Sequence, residues 1–196
     1  MKKGEKTRLE LAAIAYRLFI TNGYESTSVD EIIKTAGIAK GTFYYHFDSK
    51  EQLLEEVIGL MIASGSEKAK AILASDASGP EKIVGIILAY RPVEEELLIR
   101  DELNKPENSI LHERMNEKLR EDIVPILSKV VKEGIKEGVF HCDSIPERIR
   151  AILVLSSNLF DEGQFTKKDI SVFIDIIEKT LGAKPGTMGF IRKLVG

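Results

Sequence analysis

The chain has a single cysteine, Cys142, among its 196 residues. One cysteine cannot form an intrachain disulfide and cannot by itself build a cysteine-based zinc site. Long apolar runs are also missing, and no stretch approaches the roughly 18 apolar residues that a membrane span needs. The first residues run into a charged amphipathic pattern, so no signal peptide is expected. These absences predict a cytoplasmic protein without membrane attachment.

Motifs of catalysis and cofactor binding are also absent. The sequence contains no glycine-rich phosphate loop, no nucleophile elbow and no pair of histidines on one helix. His141, Cys142 and Asp143 have metal-capable side chains, but adjacent residues on a turn rarely converge on one ion. We therefore expect no enzyme activity, no cofactor and no metal site.

Neither sign of charge dominates, since the formal net charge is −3. This argues against binding nucleic acid over the whole surface but leaves room for a local basic face. Residues 1–50 carry eight Lys/Arg and six Asp/Glu, whereas the remaining residues have a net charge of −5. Ordinary surface scatter produces the same asymmetry, so charge alone assigns no function.

Apolar residues recur at three- and four-residue spacing along almost the whole chain. This periodicity predicts an all-α fold of about nine helices. Capping boxes at Ser28–Glu31 and Thr166–Asp169 mark two helix starts. Neither an alternating strand pattern nor an internal repeat is evident.

The most informative segment runs from Ser28 to Lys50, where two short helices flank a turn at 36–39. A short turn that contains glycine lets the second helix cross the first steeply, as in a helix-turn-helix. In the second helix, Phe43 and Phe47 share one side and are expected to anchor it to the first two helices.

The opposite side of this second helix carries Gly41, Thr42 and Tyr45, with Tyr44 and His46 on its flanks. Paired tyrosines suit a DNA groove, because the ring contacts thymine methyls or sugars and the hydroxyl reaches a phosphate. Gly41 lets the backbone come close to DNA. His46 could instead bridge two helices.

Residues around the second helix suit phosphate contacts. Lys40 and Lys50 bracket it as cations. Thr27 and Ser28 lie at the positive N-terminal end of the preceding helix, where an anion is stabilised. Ser28 could equally be only a helix cap.

The segment Thr27–Leu53 resembles the signature of the TetR family of transcriptional regulators, and residues 13–19 and 22–24 resemble that family's first helix. The resemblance covers about residues 5–60. It implies a homodimer that binds double-stranded DNA at a palindromic operator, usually as a repressor, and releases it when a small molecule enters the C-terminal domain. Its DNA contacts then fall on Thr27, Ser28, Lys40, Gly41, Thr42, Tyr44, Tyr45, His46 and Lys50.

The resemblance also suggests a division of the chain. We expect a three-helix helix-turn-helix domain at residues 1–60, with its recognition helix at about 40–47. Residues 61–196 would form a helical domain for ligand binding and dimerisation.

The last two helices are apolar on more than one face, which predicts that each packs both on its own core and elsewhere. The family layout supports a four-helix dimer interface, and the alternative is burial inside the domain. The expected interface residues are Ile149, Ile152, Leu153, Ser156, Phe160, Phe173, Ile174, Ile177 and Leu181.

A ligand pocket is expected between the fourth helix and the long helix that contains Pro125. Its apolar chemistry suggests an apolar or amphipathic effector, although the same residues would make an ordinary core. The expected lining residues are Met61, Ile87, Tyr90, Met115, Leu119, Ile123, Leu127 and Val130.

Two other functions fit an all-α chain. The first is a ligand-binding protein or enzyme with a vestigial helix-turn-helix, which would lack the DNA-facing residues that are complete here. The second is an architectural DNA binder, whose affinity would not depend on sequence.

Overall fold

The computed structural model describes residues 3–160 and 165–193, which contain nine α-helices and no strand. The predicted all-α fold is confirmed. The helices are α1 (Lys3–Asn22), α2 (Val29–Ala36), α3 (Lys40–His46), α4 (Lys50–Leu73), α5 (Gly79–Ala89), α6 (Leu97–Leu103), α7 (Ser109–Lys136), α8 (Ile145–Phe160) and α9 (Lys167–Leu181). Three short 3-10 turns span Glu94–Glu96, Pro106–Asn108 and Gly189–Lys193.

The chain forms two compact units. The first unit comprises Met1–Ser64 and Arg91–Glu117, and the second comprises Gly65–Tyr90 and Lys118–Gly196. The segment 91–117 therefore packs with the N-terminal helices, whereas we expected it to belong to the C-terminal domain. The functional division at residue 60 stays a prediction.

Polar contacts help to attach the segment 91–117 to the first unit. The hydroxyl of Tyr16 on α1 donates to Glu96 at 2.9 Å. Burial and this bond raise the pKa of Tyr16 to about 12, so the hydroxyl keeps its proton at neutral pH. Lys105 forms an ion pair with Glu25 at 3.2 Å. Contacts between residues 80 positions apart are invisible to local sequence patterns.

The core of the first unit is built on the inner faces of its helices. Phe43 and Phe47 are buried in it, as their spacing predicts. The segment 91–117 contributes Ile99, Leu111 and Met115 to the same core. The helices that present the candidate site therefore share one apolar interior.

Helix starts follow the capping signals. Thr166 and Asp169 form the reciprocal box that the sequence predicts. At α2 only half of the predicted box forms, since the Ser28 hydroxyl accepts from the Glu31 amide at 3.1 Å. The Glu31 carboxylate accepts from Asn22 instead. This contact fixes the end of α1 beside the start of α2.

In the second unit, the residue that follows α9 makes a tight contact with the segment that follows α7. Gly182 follows α9 with φ of +63°, and a Cβ there would lie 2.1 Å from the carbonyl oxygen of His141. The His141 amide donates to the Leu181 carbonyl at 2.9 Å. Only glycine fits both the backbone conformation and the space.

Gly182→Ala should lower the free energy of unfolding by about 3 kcal/mol or more, because left-handed strain and a steric clash add. Gly186→Ala is the matched control, since its φ is +90° and no atom lies within 4 Å of its Cβ position. It should show the strain alone, about 1–2 kcal/mol. Urea unfolding followed by circular dichroism measures both, and equal losses would contradict the role of the contact with His141.

Candidate nucleic-acid interface

The surface of α3 is set by its two buried phenylalanines. The rings of Phe43 and Phe47 lie 5.9 Å apart between centroids and face the core. Tyr44 packs edge-on against Phe43 but remains 47% exposed, and Tyr45 is 81% exposed. Two large aromatic side chains on the outer side of a short helix offer ring and hydroxyl contacts to a DNA groove.

Small and polar residues complete the outer face of α3. Apart from the two chain neighbours and the backbone of α3 itself, no described atom lies within 4 Å of a Cβ built at Gly41, so the backbone there is open to a close neighbour. Thr42 is half-buried, and the half-buried His46 ring lies edge-on to Tyr45, with centroids 5.0 Å apart. The residues expected from the pattern therefore share one surface.

The two lysines that bracket α3 lie in different environments. Lys40 is exposed and pairs with the exposed Asp30 at 3.3 Å. An exposed ion pair contributes little free energy, so a phosphate can replace Asp30 as the partner of Lys40. Lys50 is half-buried, and its ammonium donates to the carbonyls of Tyr24 at 3.0 Å and Thr27 at 3.2 Å. An ammonium has three donors, so at most one remains for a phosphate. Lys50 thus stabilises the loop between α1 and α2.

Thr27 and Ser28 also lie in different environments. Thr27 is fully buried, and its hydroxyl donates to the carbonyl of Gly23 at 2.8 Å. Its side chain is therefore not available to DNA, which corrects the expectation of a direct contact. Ser28 is exposed at the N-terminus of α2, where its hydroxyl caps the helix. Thr27 fixes the loop that presents Ser28.

Arg8 of α1 is a residue that the sequence reasoning missed. One terminal nitrogen donates to the carbonyl of His46 at 2.7 Å, whereas Nε and the other terminal nitrogen bind the Glu56 carboxylate at 2.9 and 2.7 Å. The guanidinium carbon lies 4.5 Å from the centroid of the Phe47 ring. The last carbonyls of a helix have no partner within it, and Arg8 satisfies one of them at the end of α3. Contacts to residues 38 and 48 positions away leave no local signal.

Comparison with known proteins identifies this arrangement. Residues 11–57 match the family model of bacterial regulatory proteins, tetR family, and residues 93–180 match that of the tetracyclin repressor-like C-terminal domain. The HTH-type transcriptional repressor KstR2 of Mycolicibacterium smegmatis is 31% identical over 145 residues, which cover 69% of this chain and 68% of that protein. The chain belongs to the TetR family. It is a ligand-responsive, DNA-binding transcriptional regulator.

Other TetR-family proteins agree with this assignment. The regulator QacR of Staphylococcus aureus is 27% identical over 134 residues, which cover 66% of this chain and 71% of that protein. The crystal structure of RolR in complex with resorcinol has a TM-score of 0.67 and 19% identity, and it covers 99% of this chain and 95% of RolR. That likeness shows a common fold.

The matched family and relatives are transcriptional regulators and not enzymes. In the described part of the chain, no three His, Cys, Asp or Glu side chains are grouped to bind a metal ion. None of the described helices combines the length and the apolar character needed to cross a bilayer.

The expected pocket residues are distributed over both cores of this TetR-family chain. Met115 is buried in the first unit, where Met61 packs against the same core. In the second unit Ile123, Leu127 and Val130 are buried, and Leu119 is half-buried. Ile87 and Tyr90 are half-buried and pack against the second core. Seven of the eight residues, all except Leu119, thus belong to or pack against one of the two cores, and the pocket stays a prediction.

Only some of the expected dimer residues are partly exposed on the surface of the chain. Ile152, Leu153 and Ser156 of α8 are half-buried, and the side chain of Phe160 lies outside the described residues. The other members are buried in the chain's own core, namely Ile149, Phe173, Ile174, Ile177 and Leu181. This burial corrects the expected face of α9. Among the described side chains of α8 and α9, the large apolar ones that are exposed are Val154, Val172 and Ile176.

Arg8→Met should weaken binding to a selected DNA site about tenfold, because the C-terminal end of α3 loses its donor. Arg8→Lys should restore part of the loss, since an ammonium reaches the carbonyl but does not bind the carboxylate with two nitrogens. Fluorescence anisotropy of labelled DNA measures the affinity.

Arg114→Met is the matched control, because Arg114 also pairs with a carboxylate of α4, that of Glu55. It should leave DNA affinity within about twofold of the parent protein. Equal weakening by Arg8→Met and Arg114→Met would contradict a specific role for Arg8.

Proposed function

We propose that this chain is a repressor that binds a palindromic operator as a homodimer and is released by a small apolar or amphipathic effector. The exposure of Tyr44 and Tyr45 on a helix anchored by buried phenylalanines supports this most strongly. An outer aromatic face on a recognition helix serves direct readout in the major groove.

The proposed DNA contacts fall into two groups, those to bases and sugars and those to phosphates. Gly41, Thr42, Tyr44 and Tyr45 on the outer face of α3 are placed to contact base edges, thymine methyls and sugars. The exposed Lys40 and Ser28, the latter at the N-terminus of α2, suit phosphates. His46 and the remaining donor of Lys50 add contacts at the rim.

A dimer supplies the second half of the readout. Two recognition helices must reach successive major grooves, about 34 Å apart on one face of the DNA. Val172 and Ile176 are exposed one turn apart on α9, and Val154 is exposed on α8. We place the dimer interface on these residues, with half-buried Ile152 of α8 as an additional contact.

Selection of bound fragments from sheared source DNA tests the function directly. At about 150 mM salt nonspecific phosphate contacts are weakened, so specific sites should dominate the recovered pool. One enriched site with two-fold symmetry supports the proposal. Recovery of all sequences alike indicates an architectural binder, and no recovery in the absence of small molecules indicates a vestigial helix-turn-helix.

Tyr44→Ala should weaken binding to the selected site by roughly 1–3 kcal/mol and relax the preference at one base pair. The ring is exposed, so the unfolding transition should stay close to that of the parent. Anisotropy with specific and scrambled DNA separates the two effects. An equal loss on both DNAs would mean that Tyr44 contacts only the backbone.

Ile176→Glu should shift the protein from dimer to monomer, because a buried charge at an apolar interface is strongly unfavourable. Light scattering after size exclusion gives the mass. Ile110→Glu is the matched control, since Ile110 is exposed on α7 in the first unit. If Ile176→Glu remained a dimer at micromolar concentration, the interface would lie elsewhere.

A further inference from the structure

A polar cluster lies beside the apolar core of the second unit. Tyr90 follows α5, and its hydroxyl donates to the Asp122 carboxylate of α7 at 2.5 Å. The same core contains Ala69, Ile83 and Ile86, all buried. An amphipathic site needs this combination of apolar walls and a few placed polar groups.

The Tyr90 ring is fixed against α4 by a glycine. A Cβ at Gly65 would lie 2.8 Å from Cδ1 of Tyr90 and 2.9 Å from the carbonyl oxygen of Ala89. Any larger residue at position 65 would push the end of α5 away. The close approach places the Tyr90 hydroxyl beside the next residue of α4, Ser66.

Ser66 is the unexplained member of the cluster. It is 4% exposed, and its hydroxyl oxygen has no hydrogen-bond partner. Burial and the bond to Asp122 raise the pKa of Tyr90. A buried hydroxyl without a partner costs stability, so Ser66 can gain from a group that supplies its hydrogen bond.

The charges around the cluster restrict that group. Asp122 is half-buried and negative, and the nearby Lys70 is bound to Glu67 at 2.8 Å. An anion would be repelled by the carboxylate of Asp122. A hydroxyl fits best, because it can donate to and accept from its neighbours in one position.

We propose that Ser66 and Tyr90 bind the hydroxyl group of an uncharged, largely apolar effector such as a phenol or an alcohol. This rests on the proposed release by a small molecule and names the effector's chemical class. Ser66 and Tyr90 contact the hydroxyl, and Asp122 orients Tyr90 and excludes anions.

Thermal unfolding of the full chain with four probes tests the proposal. Phenol should raise the Tm in a saturable manner, whereas toluene, benzoate and benzylamine should not. Toluene reports apolar binding alone, and the other two probes report the preference for charge. A stronger shift with toluene or benzylamine than with phenol would overturn the hydroxyl assignment, as would no shift with phenol.

Substitutions test the individual roles. Ser66→Ala and Tyr90→Phe should each weaken phenol binding about tenfold. Ser66→Ala should also leave the Tm of the free protein unchanged or higher, because it removes an unpartnered hydroxyl. A lower Tm would show that Ser66 is hydrogen-bonded in the free protein and would overturn the proposal. Asp122→Asn should allow benzoate to bind, and its continued exclusion would contradict the role of Asp122.

Tyr16→Phe is the matched control for Tyr90→Phe, because Tyr16 also donates to a carboxylate but lies in the first unit. It should leave phenol binding unchanged, and a matching loss would overturn the assignment to Tyr90. Operator selection does not depend on these probes. A chain that selects an operator but fails with phenol would refute the effector class and leave the regulator function intact.

Discussion

The burial of Phe43 and Phe47 is the constraint on which the DNA-facing surface depends. A helix of seven residues is too short to be stable alone, so packing must fix both its existence and its rotation. With both rings in the core, rotation about the helix axis would expose an apolar side chain. The exposure of Tyr44 and Tyr45 is therefore a consequence of packing on the opposite side.

The cationic side chains around α3 have two roles, since some bind backbone carbonyls and others remain available for phosphates. Arg8 and Lys50 direct their donors to backbone carbonyls at the end of α3 and in the α1–α2 loop. Such bonds satisfy polar groups that the helices leave open. Lys40, by contrast, pairs with the exposed carboxylate of Asp30. Counting cations in a helix-turn-helix thus overestimates the number free for phosphates, since part of the charge organises the surface.

The segment 91–117 packs into one compact unit with helices that are distant from it in the sequence. Its apolar residues complete the core of the first unit, and Tyr16 and Lys105 help to attach it to the N-terminal helices. The helix-turn-helix is thus supported by residues that follow it by more than 40 positions. This support explains how the short helices α2 and α3 can present polar and aromatic faces without losing their packing.

The sequence by itself determined the helices, the N-cap residues of α2 and α9, the inward side of α3 and the resemblance to the TetR family. Each depends on contacts between near neighbours, which leave periodic or motif-like signals. Only the tertiary structure decided that Thr27 is buried, that Arg8 reaches His46 and that Lys50 binds two carbonyls. It also decided that α9 buries Ile174 and exposes Ile176. A helix that is apolar on most sides carries no information about which side its own core occupies, because that choice belongs to the residues packed against it.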